Sequence, residues 1–143
     1  MLLGEYRHQL DAKNRIRMPA KLKAGLGERY LITKGGNHCL YVFPEAEMEK
    51  LGKKLAKISP FDMAAQKPLR LLLSSCCEAE EDNQGRVMIP QNLRSFANLT
   101  KDIVVIGSGT HAEIWSAEAW DAYNDEEDFD NVIGVLADIN MED

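Results

Sequence analysis

Three basic side chains near the start of the chain, Lys13, Arg15 and Arg17, lie close enough together to bind a polyanion. Arginine can donate two hydrogen bonds to O6 and N7 of a guanine in the major groove, whereas lysine neutralises backbone phosphates. The pattern predicts a DNA-binding surface, with a merely solvated basic face as the alternative. Three further basic residues would make secondary contacts: Arg7, Lys21 and Lys23.

A short strand would position the two arginines. Polar and apolar residues alternate over residues 15–18. Because successive side chains of a strand point to opposite faces, Arg15 and Arg17 should lie on one side and Ile16 and Met18 on the other. The strand therefore presents two guanidinium groups to the solvent while its apolar residues join the core.

The turn and strand occur twice in the chain. The segment DAKNRIRMPAKLK at residues 11–23 recurs as DNQGRVMIPQNLR at residues 82–94. The aspartates that begin the two copies, Asp11 and Asp82, are expected to shape each turn by accepting hydrogen bonds from backbone N–H groups. Asn14 and Gly85 are the residue types that accommodate a positive φ. With only two copies, the chain is a duplicated module in which two small halves share one core.

The two copies differ in their basic residues. Arg86 takes the place of the first arginine, but Met88 and Gln84 replace the other two basic residues, Arg17 and Lys13. Several acidic residues precede Arg86, so a pair with the aspartate of its own turn is the favoured interpretation. The first copy is therefore predicted to contact DNA, and Arg86 is predicted to be structural or auxiliary.

Charge is distributed unevenly along the chain. The net charge is −6, yet residues 1–34 carry +5, residues 35–75 carry +2 and residues 76–143 carry −13. Local charge decides whether a polyanion can dock, so the negative total does not exclude DNA binding. A basic first half and an acidic second half also favour electrostatic self-association.

The same order of elements is predicted in both halves. The first half should have strands at 5–10, 15–18, 30–33 and 39–43, with helices at 20–26 and from 43 or 44 onward. The second should have a strand before the turn at 83–85, strands at 86–89, 103–106 and 113–115, a helix from 90 to about 98, and a helix capped by Ser116. The connecting segment has a helix-start signal at 59–60, and Pro68 predicts a kink or two short helices. The acidic tail would be a terminal helix or disordered.

Four large residues are expected in the core: Phe43, Met48, Trp115 and Trp120.

Other kinds of chemistry have little support in the sequence. Cys39, Cys76 and Cys77 have no metal-binding spacing and are expected to be reduced thiols of a cytoplasmic protein. No apolar run of membrane-spanning length and no signal peptide is apparent. No nucleophile has an identifiable base partner, and Gly107–Gly109 lacks the residues of a phosphate loop. We therefore predict no enzymatic activity, no cofactor, no metal and no small-molecule substrate.

Residues 5–120 resemble the MraZ family, whose members contain two domains of the AbrB/SpoVT type. The matching marks are the two Asp-x-x-x-Arg motifs and the segments GEYRHQLDAKNRIRMPA and LRLLLSSCCEAEEDNQGRVMIP. The resemblance implies an α+β, mainly β, fold with a pseudo-twofold, swapped-hairpin barrel core and flanking helices. It also implies a ring-shaped homo-oligomer and a cytoplasmic, nucleoid-associated repressor. The repressor would bind short G-rich direct repeats of its own operon, the cell-division and cell-wall cluster, with Arg15 as the clearest matching contact. Pro68 and Met88 depart from the family pattern.

Four segments follow from the repeat. They are a first DNA-binding repeat at residues 5–47, connecting helices at 48–75, a second repeat at 76–119 and an acidic tail at 120–143. The alternative function is a protein-interaction module, similar to an antitoxin, that uses the acidic C-terminal half. Binding to duplex DNA that weakens steeply with salt would favour the repressor.

Overall fold

The computed structural model of the protein describes residues 1–139 and contains an antiparallel sheet flanked by helices. Its strands are β1 (Glu5–Gln9), β2 (Arg15–Arg17), β3 (Tyr30–Lys34), β4 (Leu40–Pro44), β5 (Cys77–Glu78), β6 (Arg86–Met88), β7 (Asp102–Gly107) and β8 (Ala112–Ser116). Its helices are α1 (Ala20–Leu26), α2 (Glu45–Leu55), α3 (Met63–Ser75), α4 (Gln91–Phe96), α5 (Ala117–Asp125) and α6 (Phe129–Asp138). The α+β, mainly β, class predicted from the sequence is confirmed.

The two repeats exchange strands within one sheet. Six strands follow the order β1-β7-β8-β4-β3-β5, and every neighbouring pair is antiparallel. Strand β1 of the first repeat pairs with β7 of the second, and β5 of the second pairs with β3 of the first. Because each repeat completes the sheet of the other, neither half has a core of its own. Among residues 1–139 the sheet ends at β1 and β5 and is not a closed barrel.

The pairing of β4 with β8 marks the pseudo-twofold axis. Tyr41 lies opposite Glu113, with Leu40 opposite Ile114 on one side and Val42 opposite Ala112 on the other. The four apolar members of these pairs are fully buried. Positions 40–42 of the first repeat correspond to 112–114 of the second, so the register is symmetric about its central pair. The core is therefore built from equivalent residues of both repeats.

The segment between the repeats differs from the predictions in two respects. Helix α3 begins at Met63, not near residue 59, because Asp62 caps it by accepting a hydrogen bond from the backbone N–H of Ala65 at 3.3 Å. The helix also continues through Pro68 to Ser75, which rules out two short helices; the other alternative, a kink at Pro68, stays a prediction. Pro68 is exposed, and water can therefore bind the carbonyl that loses its partner.

The start of α5 and the structure of the tail agree better with the predictions from the sequence. Ser116 caps α5 by accepting a hydrogen bond from the backbone N–H of Ala119 at 3.0 Å, as predicted. The tail continues as α6, which decides between the two alternatives for residues 120–139; residues 140–143 lie outside the described part of the chain.

The prediction of four large core residues is only partly correct. Trp115 is buried, but Phe43, Met48 and Trp120 are half-buried. Trp120 packs edge-to-face on Trp115, with 5.2 Å between the ring centroids, and donates its indole N–H to Glu5. The amphipathic ring therefore lies at the boundary of the fold, where its N–H has a polar partner.

Candidate nucleic-acid interface

Strands β2 and β6 form a two-stranded antiparallel ribbon that is separate from the six-stranded sheet. At its centre Ile16 of the first repeat lies opposite Val87 of the second, and both are buried. Partner residues of antiparallel strands point to the same face, so this pair fixes the inner side of the ribbon. One apolar residue from each repeat thus anchors the ribbon to the core.

The outer side of the ribbon carries Arg15, Arg17, Arg86 and Met88, and we call it the ribbon face. Arg15 lies opposite Met88, and Arg17 lies opposite Arg86. The sequence predicted that Arg15 and Arg17 share a face. The pairing of β2 with β6 adds Arg86, so two repeats contribute three guanidinium groups to one surface.

Each arginine that follows a turn is held by the aspartate that begins the turn. Asp11 accepts hydrogen bonds from the backbone N–H groups of Lys13 and Arg15, each at 2.9 Å, and from Nε of Arg15 at 2.7 Å. Asp82 accepts the equivalent bonds from Gln84 and Arg86, all at 2.9 Å. The carboxylate therefore fixes the turn and aligns the guanidinium group of the same repeat.

A positive φ is required at one position in each turn. Asn14 has φ 60° and Gly85 has φ 74°. These values fall in the left-handed region, which asparagine and glycine enter at lower cost than other residues. The two turns thus reach the same backbone shape with different residues.

The two turns also contact one another. Nη1 of Arg15 lies 3.7 Å from Oδ2 of Asp82, and Nε of Arg17 donates to the carbonyl of Gln84 at 3.0 Å. The carbonyl of Asn14 accepts the N–H of Ile89 at 3.0 Å. Residues of one repeat therefore help to position the arginines of the other.

The turn carboxyls are held in their charged form. The backbone hydrogen bond from Arg15 is the largest cause that lowers the pKa of Asp11 below its ordinary 3.8, opposed by desolvation and assisted by the arginine side chain. The backbone bond from Arg86 lowers the pKa of Asp82 in the same way. Both carboxylates are therefore ionised at neutral pH and accept hydrogen bonds from the turns.

A pH titration should detect the lowered pKa values of Asp11 and Asp82. Since the folded pKa values of Asp11 and Asp82 are lowered, their contribution to stability is complete above 3.8 and is lost as the pH falls through those lowered values. Carbon-13 NMR of the carboxyl groups should give both midpoints below 3.8. Arg15→Gln should raise the Asp11 midpoint more than the Asp82 midpoint, and Arg86→Gln should do the opposite. Equal effects of the two variants would contradict the proposed assignment of each arginine to its own turn.

The other basic residues singled out by the sequence lie in different environments. Lys13 and Lys21 are exposed. Arg7 lies on β1 of the main sheet, where it donates to both carboxylate oxygens of Asp121 at 2.6 and 3.3 Å. Lys23 forms an ion pair with Glu81 and lies over the ring of Tyr30. The structure therefore leaves Arg7 and Lys23 engaged with carboxylates and does not bring Arg7 to the ribbon.

Sequence reasoning missed the arrival of Arg86 on the ribbon face. The available signal was the repeat itself, because a pseudo-twofold axis through a duplicated core pairs equivalent strands with each other. The sequence shows that methionine replaces arginine at position 88, the equivalent of Arg17. That Met88 lies opposite Arg15 depends on the register of the two strands.

The described part of the chain, residues 1–139, holds neither a metal-binding cluster nor a membrane-spanning helix. No group of three or more His, Cys, Asp or Glu side chains in this part of the chain could hold a metal ion. None of its helices is long and apolar enough to cross a membrane. Burial raises the pKa of the Cys39 thiol to about 12, assisted by the neighbouring carboxylate of Glu113, so this cysteine is a poor nucleophile.

Comparison with known proteins identifies the family. The family described as "MraZ protein, putative antitoxin-like" matches twice, at residues 1–71 and 72–133. A protein of Clostridium beijerinckii named "Transcriptional regulator MraZ" is 45% identical over 142 residues, which cover 99% of this chain and 100% of that protein. Proteins with the same name from Symbiobacterium thermophilum and Carboxydothermus hydrogenoformans are 46% and 42% identical, covering 87% and 86% of this chain and 90% and 86% of their own lengths. Two family matches in tandem, together with the duplicated turn and strand, mean that the chain belongs to the MraZ family of transcriptional regulators.

Proposed function

We propose that the protein is a sequence-specific DNA-binding repressor whose ribbon face enters the major groove. The observation that carries the proposal is the convergence of Arg15, Arg17 and Arg86 on one side of a two-stranded ribbon. The major groove admits a two-stranded β-ribbon, and arginine is the residue that most often contacts guanine there. The buried Ile16 and Val87 beneath the ribbon give the arginines a rigid support.

The spacing of the arginines suits stacked base pairs. Side chains two residues apart on a strand are about 7 Å apart, which is about two base-pair steps of 3.4 Å each. Arg15 and Arg17 would therefore contact guanines about two steps apart. Arg86, opposite Arg17, would contact a base on the other side of the groove as an auxiliary residue.

Lysines around the ribbon would supply contacts to the backbone. Lys13 is exposed in the first turn and Lys21 is exposed on α1, so both can approach phosphates. Arg7 and Lys23 stay secondary in this proposal, since Arg7 lies on β1 and Lys23 on α1, and neither is on the ribbon face. Asp11 would act indirectly by fixing the turn that carries Lys13.

The regulated target is proposed from the resemblance to the family. The relatives are named transcriptional regulators. We propose that the protein acts in the cytoplasm, on the nucleoid, and represses its own operon, the cell-division and cell-wall cluster, through short direct repeats in the promoter.

We further propose that the chain assembles head-to-tail into a ring. Helix α3 and the residue before its cap expose Phe61, Met63, Leu71 and Leu73, and α3 carries basic but no acidic residues. Helix α6 exposes Phe129, Ile133, Val135 and Leu136, and it carries acidic but no basic residues. Two apolar surfaces of opposite charge can join α6 of one copy to α3 of the next, and such a heterologous contact closes into a ring when the rotation permits. A ring would raise the effective concentration of each further ribbon at adjacent repeats.

Native mass spectrometry tests the assembly. We expect the wild type to be a multimer that dissociates partly at high salt, because the attraction between exposed charges is screened. Leu71→Asp and Ile133→Asp, on the two surfaces, should each give monomers. Leu3→Asp is the matched control, since Leu3 is exposed but lies on neither helix. A subunit number unchanged by both variants would contradict the interface, and a number unaffected by salt would remove its electrostatic part.

A gel-shift assay with the DNA upstream of this gene tests the proposed function. At two salt concentrations, the protein should bind this duplex more tightly than a scrambled duplex, and affinity should fall steeply with salt because each neutralised phosphate releases counterions. Co-purification with a basic protein, together with no shift of the upstream DNA, would instead support the interaction-module alternative.

A further inference from the structure

One residue of the ribbon face breaks the pseudo-twofold symmetry. The repeat relates Arg15 to Arg86 and Arg17 to Met88. A fully symmetric ribbon would carry four arginines, two on each strand. Here the fourth position is apolar, so the face consists of three guanidinium groups and one thioether side chain.

The fold leaves Met88 uncovered. Its side chain is 57% exposed, whereas Met18, the residue after β2, is 4% exposed. Its neighbours Val87 and Ile89 are buried, as the alternation of a strand requires. Met88 therefore adds little to the core and instead presents apolar surface on the side of the ribbon that carries the arginines.

The position of Met88 relative to Arg15 limits what it can contact. The two are directly opposite in the register, so their Cβ atoms lie about 5 Å apart. If Arg15 donates to a guanine, Met88 reaches a base within about two steps of it. The C5-methyl group of thymine is the apolar group that a base pair presents in the major groove.

We propose that Met88 determines specificity by contacting the methyl group of a thymine within about two base-pair steps of the guanine that Arg15 contacts. This inference rests on the proposed DNA binding through the ribbon face. The contact distinguishes thymine from cytosine, because cytosine lacks the methyl group and presents an amino donor, from which a thioether accepts only a weak hydrogen bond. The site in DNA would thus combine guanines for the arginines with one thymine at a fixed position.

Replacing thymine by deoxyuridine tests the proposal, because this change removes the methyl group alone. The probe is a duplex from the region upstream of this gene, with thymines replaced one at a time. For the wild type we expect one thymine per site whose replacement weakens binding about three- to fivefold, the effect of losing one methyl contact. Met88→Ala should bind the thymine and deoxyuridine probes equally at that position, while Met88→Leu should keep part of the discrimination.

Controls separate this inference from its premises. Because Met88 is exposed, Met88→Ala should keep the circular dichroism spectrum, the unfolding midpoint and the subunit number of the wild type. Discrimination that persists in Met88→Ala, or that is absent from the wild type, would overturn the proposal although DNA binding stands. A changed subunit number in native mass spectrometry would also overturn it, since Met88 would then be a contact between copies. No shift with any upstream probe would overturn the proposed function itself, and this inference with it.

Discussion

Arg15→Ala is expected to reduce affinity for the upstream DNA to the level of a scrambled duplex. A two-bond contact between arginine and guanine contributes about 1–3 kcal/mol, so the loss for one ribbon face is about 5- to 150-fold. Arg15 should lie at the upper end of this range, because Lys13 and Arg17 lie beside it and its guanidinium group is aligned by Asp11. In an assembly with several ribbons the losses multiply, which would remove specific binding altogether.

Three further variants distinguish geometry from charge. Arg15→Lys keeps the charge but loses the planar pair of donors, so it should retain salt-dependent, non-specific binding and lose specificity. Arg86→Ala should weaken binding less, about 10-fold, because its own strand and turn carry Met88 and Gln84 in place of basic residues. Arg29→Ala is the matched control: Arg29 is exposed and pairs with Glu45, and it is not on the ribbon.

Fluorescence anisotropy at fixed salt would measure all four affinities. Equal losses for Arg15→Ala and Arg86→Ala would contradict the unequal roles of the two repeats. A loss for Arg29→Ala as large as that for Arg15→Ala would mean that total charge, and not the ribbon face, determines binding.

Ile114→Ala is expected to have the largest effect on stability. Ile114 has no exposed surface and lies opposite Leu40 beside the pseudo-twofold axis. Truncating a buried isoleucine to alanine removes apolar contacts and leaves a cavity, which lowers the free energy of unfolding by about 2–5 kcal/mol. Because the repeats exchange β1 and β5, this loss should destabilise both repeats together.

Urea unfolding followed at two positions would test this shared core. The indole fluorescence of Trp115 and of Trp120, which packs on it, reports on the second repeat and the helix after it, and an NMR signal of the fully buried Tyr30 reports on the first. Both probes should give one transition in the wild type and one shifted transition in Ile114→Ala, at equal protein concentration. Leu3→Ala, at an exposed position, should shift the midpoint little. Separate transitions for the two probes would contradict the single core.

Local features of the fold were predictable because their causes lie close together in sequence. The alternation around Ile16 predicts which side of β2 is buried, and Pro19 and Gly27 bracket helix α1. Asp11 and Asn14 predict the turn by side-chain hydrogen bonding and by tolerance of a positive φ. In each case the interaction spans only a few residues.

Features that depend on distant contacts were not predictable in the same way. The pairing of Arg17 with Arg86 joins residues that are far apart in sequence, and only the exchange of strands brings them together. The ion pair of Lys23 with Glu81 has the same origin, and it engages a lysine that the charge pattern alone assigned to DNA. Pro68 shows the converse, since a residue that usually interrupts a helix is accommodated at an exposed position.

The duplication therefore gives the two repeats the same turn and strand but different exposed side chains. Both copies use the same aspartate-centred turn, and both contribute one buried residue to the inner side of the ribbon. The differences in charge are confined to outward positions, whereas the buried differences, Ile16 against Val87 and Met18 against Ile89, exchange one apolar residue for another. In the account proposed here, those outward differences determine which bases the protein prefers.

Methylation interference at guanine N7 on the upstream duplex tests the central claim most directly. Methylation blocks the major-groove acceptor that an arginine would contact, and it leaves the minor-groove edge of the base unchanged. We predict that wild-type protein fails to bind duplexes methylated at guanines spaced about two base pairs apart within each repeat, and that Arg15→Ala loses this pattern. Binding that is indifferent to guanine N7 methylation, or a pattern that survives unchanged in Arg15→Ala, would contradict recognition of DNA by the ribbon face.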